Sequence, residues 1–257
     1  MFSQVTRPGP ARVLSLWEEY LVTLLCLRRG LDVMQLADMF SVSASTVSRT
    51  FLSWLNLCYH ELAFLIRWPT KAQAAKKRPS CFRYFPATRC VIDCTEFYIQ
   101  RPSLPTSQRI TWSSYKSHNT FKSLVATTPR GSFCFVSSLW TGSASDRRLV
   151  EDSGFLDFIE HGDDVMADRG FLIRDLLALR GATLNIPPFA HGKQLAAQAT
   201  TKTRRIARAR IHVERAIGRL KQFVILQGVI PLKRKRNIDQ IVQVCACLCN
   251  LDKVLVK

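Results

Sequence analysis

Residues 89–97, Arg-Cys-Val-Ile-Asp-Cys-Thr-Glu-Phe, constrain this chain most. The run is apolar and rich in strand-forming residues, so it reads as a buried strand. Asp93 stands in its middle, and a carboxylate there is costly unless a cation or a partner compensates it. Asp168 sits in a similar setting, Asp-Val-Met-Ala-Asp-Arg-Gly at 164–170. A third acid, Glu214, lies in the basic helical stretch Arg-Ile-His-Val-Glu-Arg at 210–215. The three carboxylates read as a set that the fold gathers to hold divalent cations for phosphodiester chemistry.

The 257 residues suffice for one large domain, or one domain with a small appendage. A net charge of +18 points to a polyanionic partner, of which nucleic acid is the commonest. A merely soluble basic protein has the same composition. Nine cysteines without a C-x-x-C pair or zinc-finger spacing fit a reducing compartment rather than a disulfide framework. The longest apolar run, 21–27, is too short to span a bilayer.

Residues 1–70 read as a helical region behind a Pro/Gly leader, with Leu14, Trp17, Leu21, Leu24 and Leu25 as the first inward stripe. Gly30 ends that helix and Asp32 caps the next. A short helix over 33–40, a tight Ser-Val-Ser turn and a helix from Ala44 onward form a helix-turn-helix pattern. Ser43, Ser45, Thr46 and Arg49 at the second helix's start are candidate DNA contacts; an ordinary helical hairpin has the same pattern. Residues 71–87 read as a basic linker, open to phosphate contact, a nuclear-import role or plain solvation. Residues 88–257 turn to α/β texture: three antiparallel strands, a strand between helices delivering Asp168, and a long helix carrying Glu214.

That order suits a mixed α/β sheet of ribonuclease-H-like type flanked by helices, with Asp93 and Asp168 on neighbouring strands and Glu214 facing them. Oxygen donors of this kind suit Mg²⁺ or Mn²⁺. Lys116, His118, Arg169, Arg210 and Lys221 are candidate phosphate contacts around the acids, and the eight Lys or Arg of residues 202–221, Arg205 and Arg208 among them, are a candidate track for the DNA backbone. Asp146 reads as a helix-capping residue beside Ser145, and Glu96 as facing away from Asp93.

The stretches VIDCTEFYIQRP, YKSHNTFK, SDRRLVEDSGF, GDDVMADRGF and IHVERAIGRLK with LQG resemble the DDE-superfamily transposases and endonucleases of the Harbinger/IS5-like type and their IS4-related eukaryotic relatives. The family's acidic triad falls on Asp93, Asp168 and Glu214. The resemblance implies a metal-dependent nuclease that cuts and transfers DNA strands, working in a nucleus; the absence of a long apolar run separately predicts no membrane partner. It leaves open a homo-oligomer and an accessory DNA-binding protein as further partners. The alternative is a domesticated, catalytically silent DNA-binding protein. No zinc-dependent N-terminal module of the kind some relatives carry is legible.

Overall fold

A computed structural model describes residues 12–76, 78–188, 197–253 and 255. Three helices come first: α1 (Leu16–Arg29), α2 (Val33–Phe40) and α3 (Ala44–Glu61). Ser15 and Glu18 close a capping box at the start of α1, and Asp32 with Gln35 does the same for α2. Gly30 ends α1 at φ +65°, where a Cβ would also meet Val224 Cγ1 at 2.6 Å, so glycine is required twice over. The inward stripe of α1 is Val22, Cys26 and Leu27, while Trp17 is 70% exposed. The expected stripe is therefore only partly matched: α1 packs chiefly on α3, and that contact sets its rotation.

Ser41 takes the left-handed conformation (φ 51°) between α2 and α3, and Ser43 caps α3 by accepting the Thr46 amide. Residues 71–75 form a short helix, α4 (Lys71–Ala75), closed by a Thr70–Gln73 capping box. The Arg78 guanidinium then donates to the carbonyls of Ala74, Phe85, Pro86 and Thr88. Arg78 thus ties the end of this segment to the approach of β1, while Lys71 and Lys76 stay exposed.

The sheet-bearing part runs β1 (Thr88–Tyr98), α5 (Pro105–Thr111), β2 (Trp112–Ser113), β3 (His118–Thr127), β4 (Phe133–Val136), β5 (Trp140–Thr141), α6 (Asp146–Asp152), β6 (Asp164–Met166), α7 (Arg174–Ala178), β7 (Thr183–Asn185), α8 (Ala197–Leu220) and α9 (Ile238–Leu251). The strands make one mixed sheet in the order β2-β3-β1-β6-β7, with β4 and β5 also pairing β3. β1 is antiparallel to β3 along Val91–Tyr98 and parallel to β6 only over Thr88–Val91. α5 starts at Pro105, with proline at its first turn.

Helices cover both sheet faces, which is why β1 reads as nearly continuous apolar sequence. Val91, Phe97 and Val125 face one core with α8, α9 and the N-terminal helices. Cys90, Ile92, Leu124 and Ala126 face another with Leu149, Phe155 and Leu177. The helix-turn-helix region therefore shares a continuous core with the sheet.

Candidate active-site cleft

The open edge of β1 makes the site. β6 stops opposite Val91, and at the far end Ile230 bridges beside Ile99. Between these points no strand among the described residues covers the β1 edge away from β3. A cleft of about 630 Å³ lies there, lined by Asp93, Asp168 and Glu214 together with Glu96, Tyr115, Lys116, Lys122, Asp146, Arg210 and Lys221. Three acids separated by 75 and 46 positions thus line one space.

Each acid arrives by a local cause. Asp93 is half-buried in β1, and its Oδ1 accepts the Cys94 amide at 2.8 Å. Burial, reinforced by the charges of Asp146 and Asp168, raises its pKa to about 6 against the opposing pull of that amide and of Arg210. Asp168 follows the end of β6, where the chain turns, and its Oδ1 accepts the Arg169 amide at 2.8 Å. Glu214 projects from α8, whose buried stripe is Ile206, Ala209, Val213, Ala216 and Leu220.

A cation of the chain's own already stands among them. Arg210 Nη1 is 3.1 Å from Asp168 Oδ1, and Nη2 is 3.8 Å from Glu214 Oε1. Its side chain is only 11% exposed, and its Nε is buried with no partner. Among the described residues no three acids, histidines or cysteines stand close enough together to hold one ion as they are. The donor set is nonetheless all oxygen, which suits a hard divalent cation, and the fit requires Arg210 to withdraw from the two carboxylates it bridges.

The remaining residues sort by position. Lys116 and Lys221 line the cleft; burial and Lys116 pull the Lys221 ammonium down, while Glu96 and Asp93 hold it up. Lys116 lies 4.4 Å from the ring centroid of Tyr115, which is 83% exposed at the cleft. His118 and Arg169 stand outside the cleft lining; His118 rests against the Tyr98 ring. The Ser43 hydroxyl bonds those of Ser45 and Thr46 at the start of α3, and Arg49 is exposed. Gly218 lies outside the cleft lining, with open space where its Cβ would be. His212 is buried against Cys81, its Nε2 3.2 Å from the thiol.

The sequence reading missed a second charged group in the cleft. Ser145 caps α6, while Asp146 turns inward and places Oδ1 2.6 Å from Lys122 Nζ. Burial pulls the Lys122 ammonium down, but Asp146 outweighs it and holds the pKa above its usual value. Burial drives the neighbouring Cys94 thiol far up, assisted by Asp146. Glu96 lies on the Lys122 face of the sheet and accepts the Thr120 hydroxyl at 2.7 Å, yet still lines the cleft because the edge is open. The signal was present: Lys122 shares strand parity with the apolar Leu124 and Ala126, so a lysine there points inward.

A cleft lined by acids at the uncovered edge of a mixed sheet, joined through a common core to a helix-turn-helix, sets the class: a mixed α/β domain with an N-terminal helical region. The chain belongs to the DDE superfamily endonucleases, whose family model matches residues 92–250. A second model, the helix-turn-helix of DDE superfamily endonuclease, matches residues 12–64. The chain is also similar to "Protein ALP1-like" of Arabidopsis thaliana, at 23% identity over 248 residues. The match covers 93% of this chain and 61% of that relative's length.

Proposed function

We propose that this protein is a divalent-metal-dependent DNA endonuclease of transposase type, in which Asp93, Asp168 and Glu214 hold the metal and cleave phosphodiester bonds. The observation that carries the reading is the meeting of these three acids in one cleft, supported by the family membership. Mg²⁺ or Mn²⁺ bound there supplies Lewis-acid activation of an attacking hydroxyl and stabilises the leaving oxygen.

The chain's own residues prepare that chemistry. Lys116 and Lys221 face the acids and offset phosphate charge entering the cleft. Lys122 fixes the Asp146 carboxylate, so that this acid is neutralised rather than repelling the strand. The Cys94 amide orients Asp93, and the Arg169 amide orients Asp168. Arg210 offsets part of the charge of Asp168 and Glu214, the two residues that with Asp93 would hold the cation. Contacts from the start of α3 to DNA, a nuclear setting, and pairing with a second copy or an accessory DNA-binding protein belong to the same proposal.

The test is cleavage of supercoiled and linear DNA by purified protein with Mn²⁺. Wild type should nick or cut, and Asp168→Asn should abolish it. Cleavage unchanged in that variant would remove the site assignment. A second reading, a silent DNA-binding derivative, is favoured by the Arg210 bridge and by the lack of a preformed three-acid ligand set among the described residues. DNA binding without cleavage, together with no Mn²⁺ uptake by calorimetry, would select it.

A further inference from the structure

On the other flank of α8 lies a basic and aromatic cluster with no part in the cleft. The Arg205 guanidinium stacks 3.6 Å from the centroid of the Tyr84 ring. The Arg83 guanidinium lies 4.6 Å from the same centroid and donates to Tyr84 Oη at 2.6 Å. Arg208 completes the wall of a hollow of about 280 Å³ with Ser80 and Cys81. None of Arg83, Arg205 and Arg208 has a carboxylate within ion-pair distance among the described residues. Elsewhere on α8, Arg210 and Arg219 each pair with acids.

Three guanidiniums beside one another repel unless something offsets their charge. The electron-rich face of Tyr84 offsets part of it and holds two of the forks in place. No acid among the described residues supplies the rest, so the cluster carries net positive charge that an anion would balance. Guanidinium forks match phosphate oxygens in pairs. The hollow falls just below the roughly 300–1,000 Å³ of pockets that engulf a small ligand. Arg83, Tyr84 and Arg208 are exposed, so the cluster suits a polyanion lying across it.

The cluster's position separates it from the cleft. At about 100° per residue, Arg208 and Arg205 lie roughly 120° and 180° around α8 from Glu214. His212, on their side of the helix, packs on Cys81 and Phe82, just before Arg83 and Tyr84. We propose that Arg83, Tyr84, Arg205 and Arg208 form a second station for the DNA phosphodiester backbone, outside the carboxylate cleft. The proposal rests on the DNA-processing reading above and adds a station that the acidic triad does not predict.

The test measures affinity and its salt dependence by fluorescence anisotropy on a labelled duplex. Wild type is compared with Arg83→Gln/Arg205→Gln/Arg208→Gln and with Arg208→Gln alone. The triple variant should bind at least about tenfold more weakly, with the log–log salt slope reduced by up to roughly 2.7, at about 0.9 for each phosphate no longer neutralised. The single variant should lower the slope by about 0.9, and it guards against a folding defect because Arg208 is exposed. Mn²⁺ uptake by calorimetry should stay as in wild type, and millimolar thymidine monophosphate should not displace the duplex. Wild-type affinity and slope in both variants would overturn the station, as would displacement by the monophosphate. Failure of wild type to bind DNA at any salt concentration would instead sink the DNA-processing reading, and this station with it.

Discussion

Arg210 Nη1 stands 3.1 Å from Asp168 Oδ1, so the chain places a fixed positive charge against one of the acids proposed to hold a metal. The same guanidinium reaches toward Glu214 at 3.8 Å. An incoming divalent cation therefore competes with an internal monovalent one.

Replacing Arg210 by Ala should tighten Mn²⁺ binding, measured by calorimetry without DNA. The expected gain is roughly tenfold, equivalent to about 1.4 kcal/mol. Arg210→Lys, which keeps the charge but loses the fork, should fall between the two. Weaker or unchanged affinity in Arg210→Ala would show that the guanidinium supports the acids rather than competing for them.

Asp93 has its pKa raised to about 6, chiefly by burial. A carboxyl that holds its proton more tightly folded than unfolded adds stability at low pH and loses it as pH rises through about 6. The cation-free protein should therefore grow more stable, from this group, as pH falls from about 7 toward 5. Asp93→Asn should raise the melting temperature near pH 7.5 by about 2–4 °C and flatten that pH dependence, while abolishing cleavage. A melting temperature that falls in Asp93→Asn would contradict this account.

Arg89 is 2% exposed and bonds Asp163, itself 2% exposed, at 3.3 Å and Glu160 at 2.9 Å. Removing one member strands a buried charge, at a cost of about 3–5 kcal/mol. Arg89→Met should show that loss in urea denaturation, and Arg89→Met/Asp163→Asn should recover part of it. Simple additivity of the two single variants would mean that the pair is not coupled.

Lys116 and Lys221 line the cleft beside the acids. Lys116→Gln and Lys221→Gln should each lower the salt slope of DNA binding by about one, with weakening that is uniform across sequences. A slope equal to that of wild type in both variants would move the cleft's phosphate contacts elsewhere.

The acid within β1 and the acid just past the end of β6 were legible because strand texture and a lone carboxylate are both local signals. Asp93 and Asp168 could be singled out from the residues beside them, and Glu214 from the apolar stripe of α8. The Asp146–Lys122 pair was not legible in the same way. Its two members lie 24 positions apart, and Asp146 looked like one more acid at a helix start. The rotation of α1 was misjudged for a related reason: periodicity names a stripe, but the partner helix chooses among neighbouring ones. Arg210 was expected to meet phosphate, and only the fold shows that its nearest charges are the acids one helical turn away and across the cleft.

The packing of the N-terminal helices has a consequence for reach. Gln240 on α9 donates to Asn56 on α3 at 3.2 Å, and Asn250 donates to the Leu65 carbonyl at 2.9 Å, above a core common to both regions. A grip on duplex by the start of α3 would therefore sit at a rigid offset from the carboxylates, like the two jaws of a caliper. Incision would fall at a constant spacing from the gripped sequence, and added residues near 66–70 would spoil the instrument rather than lengthen it.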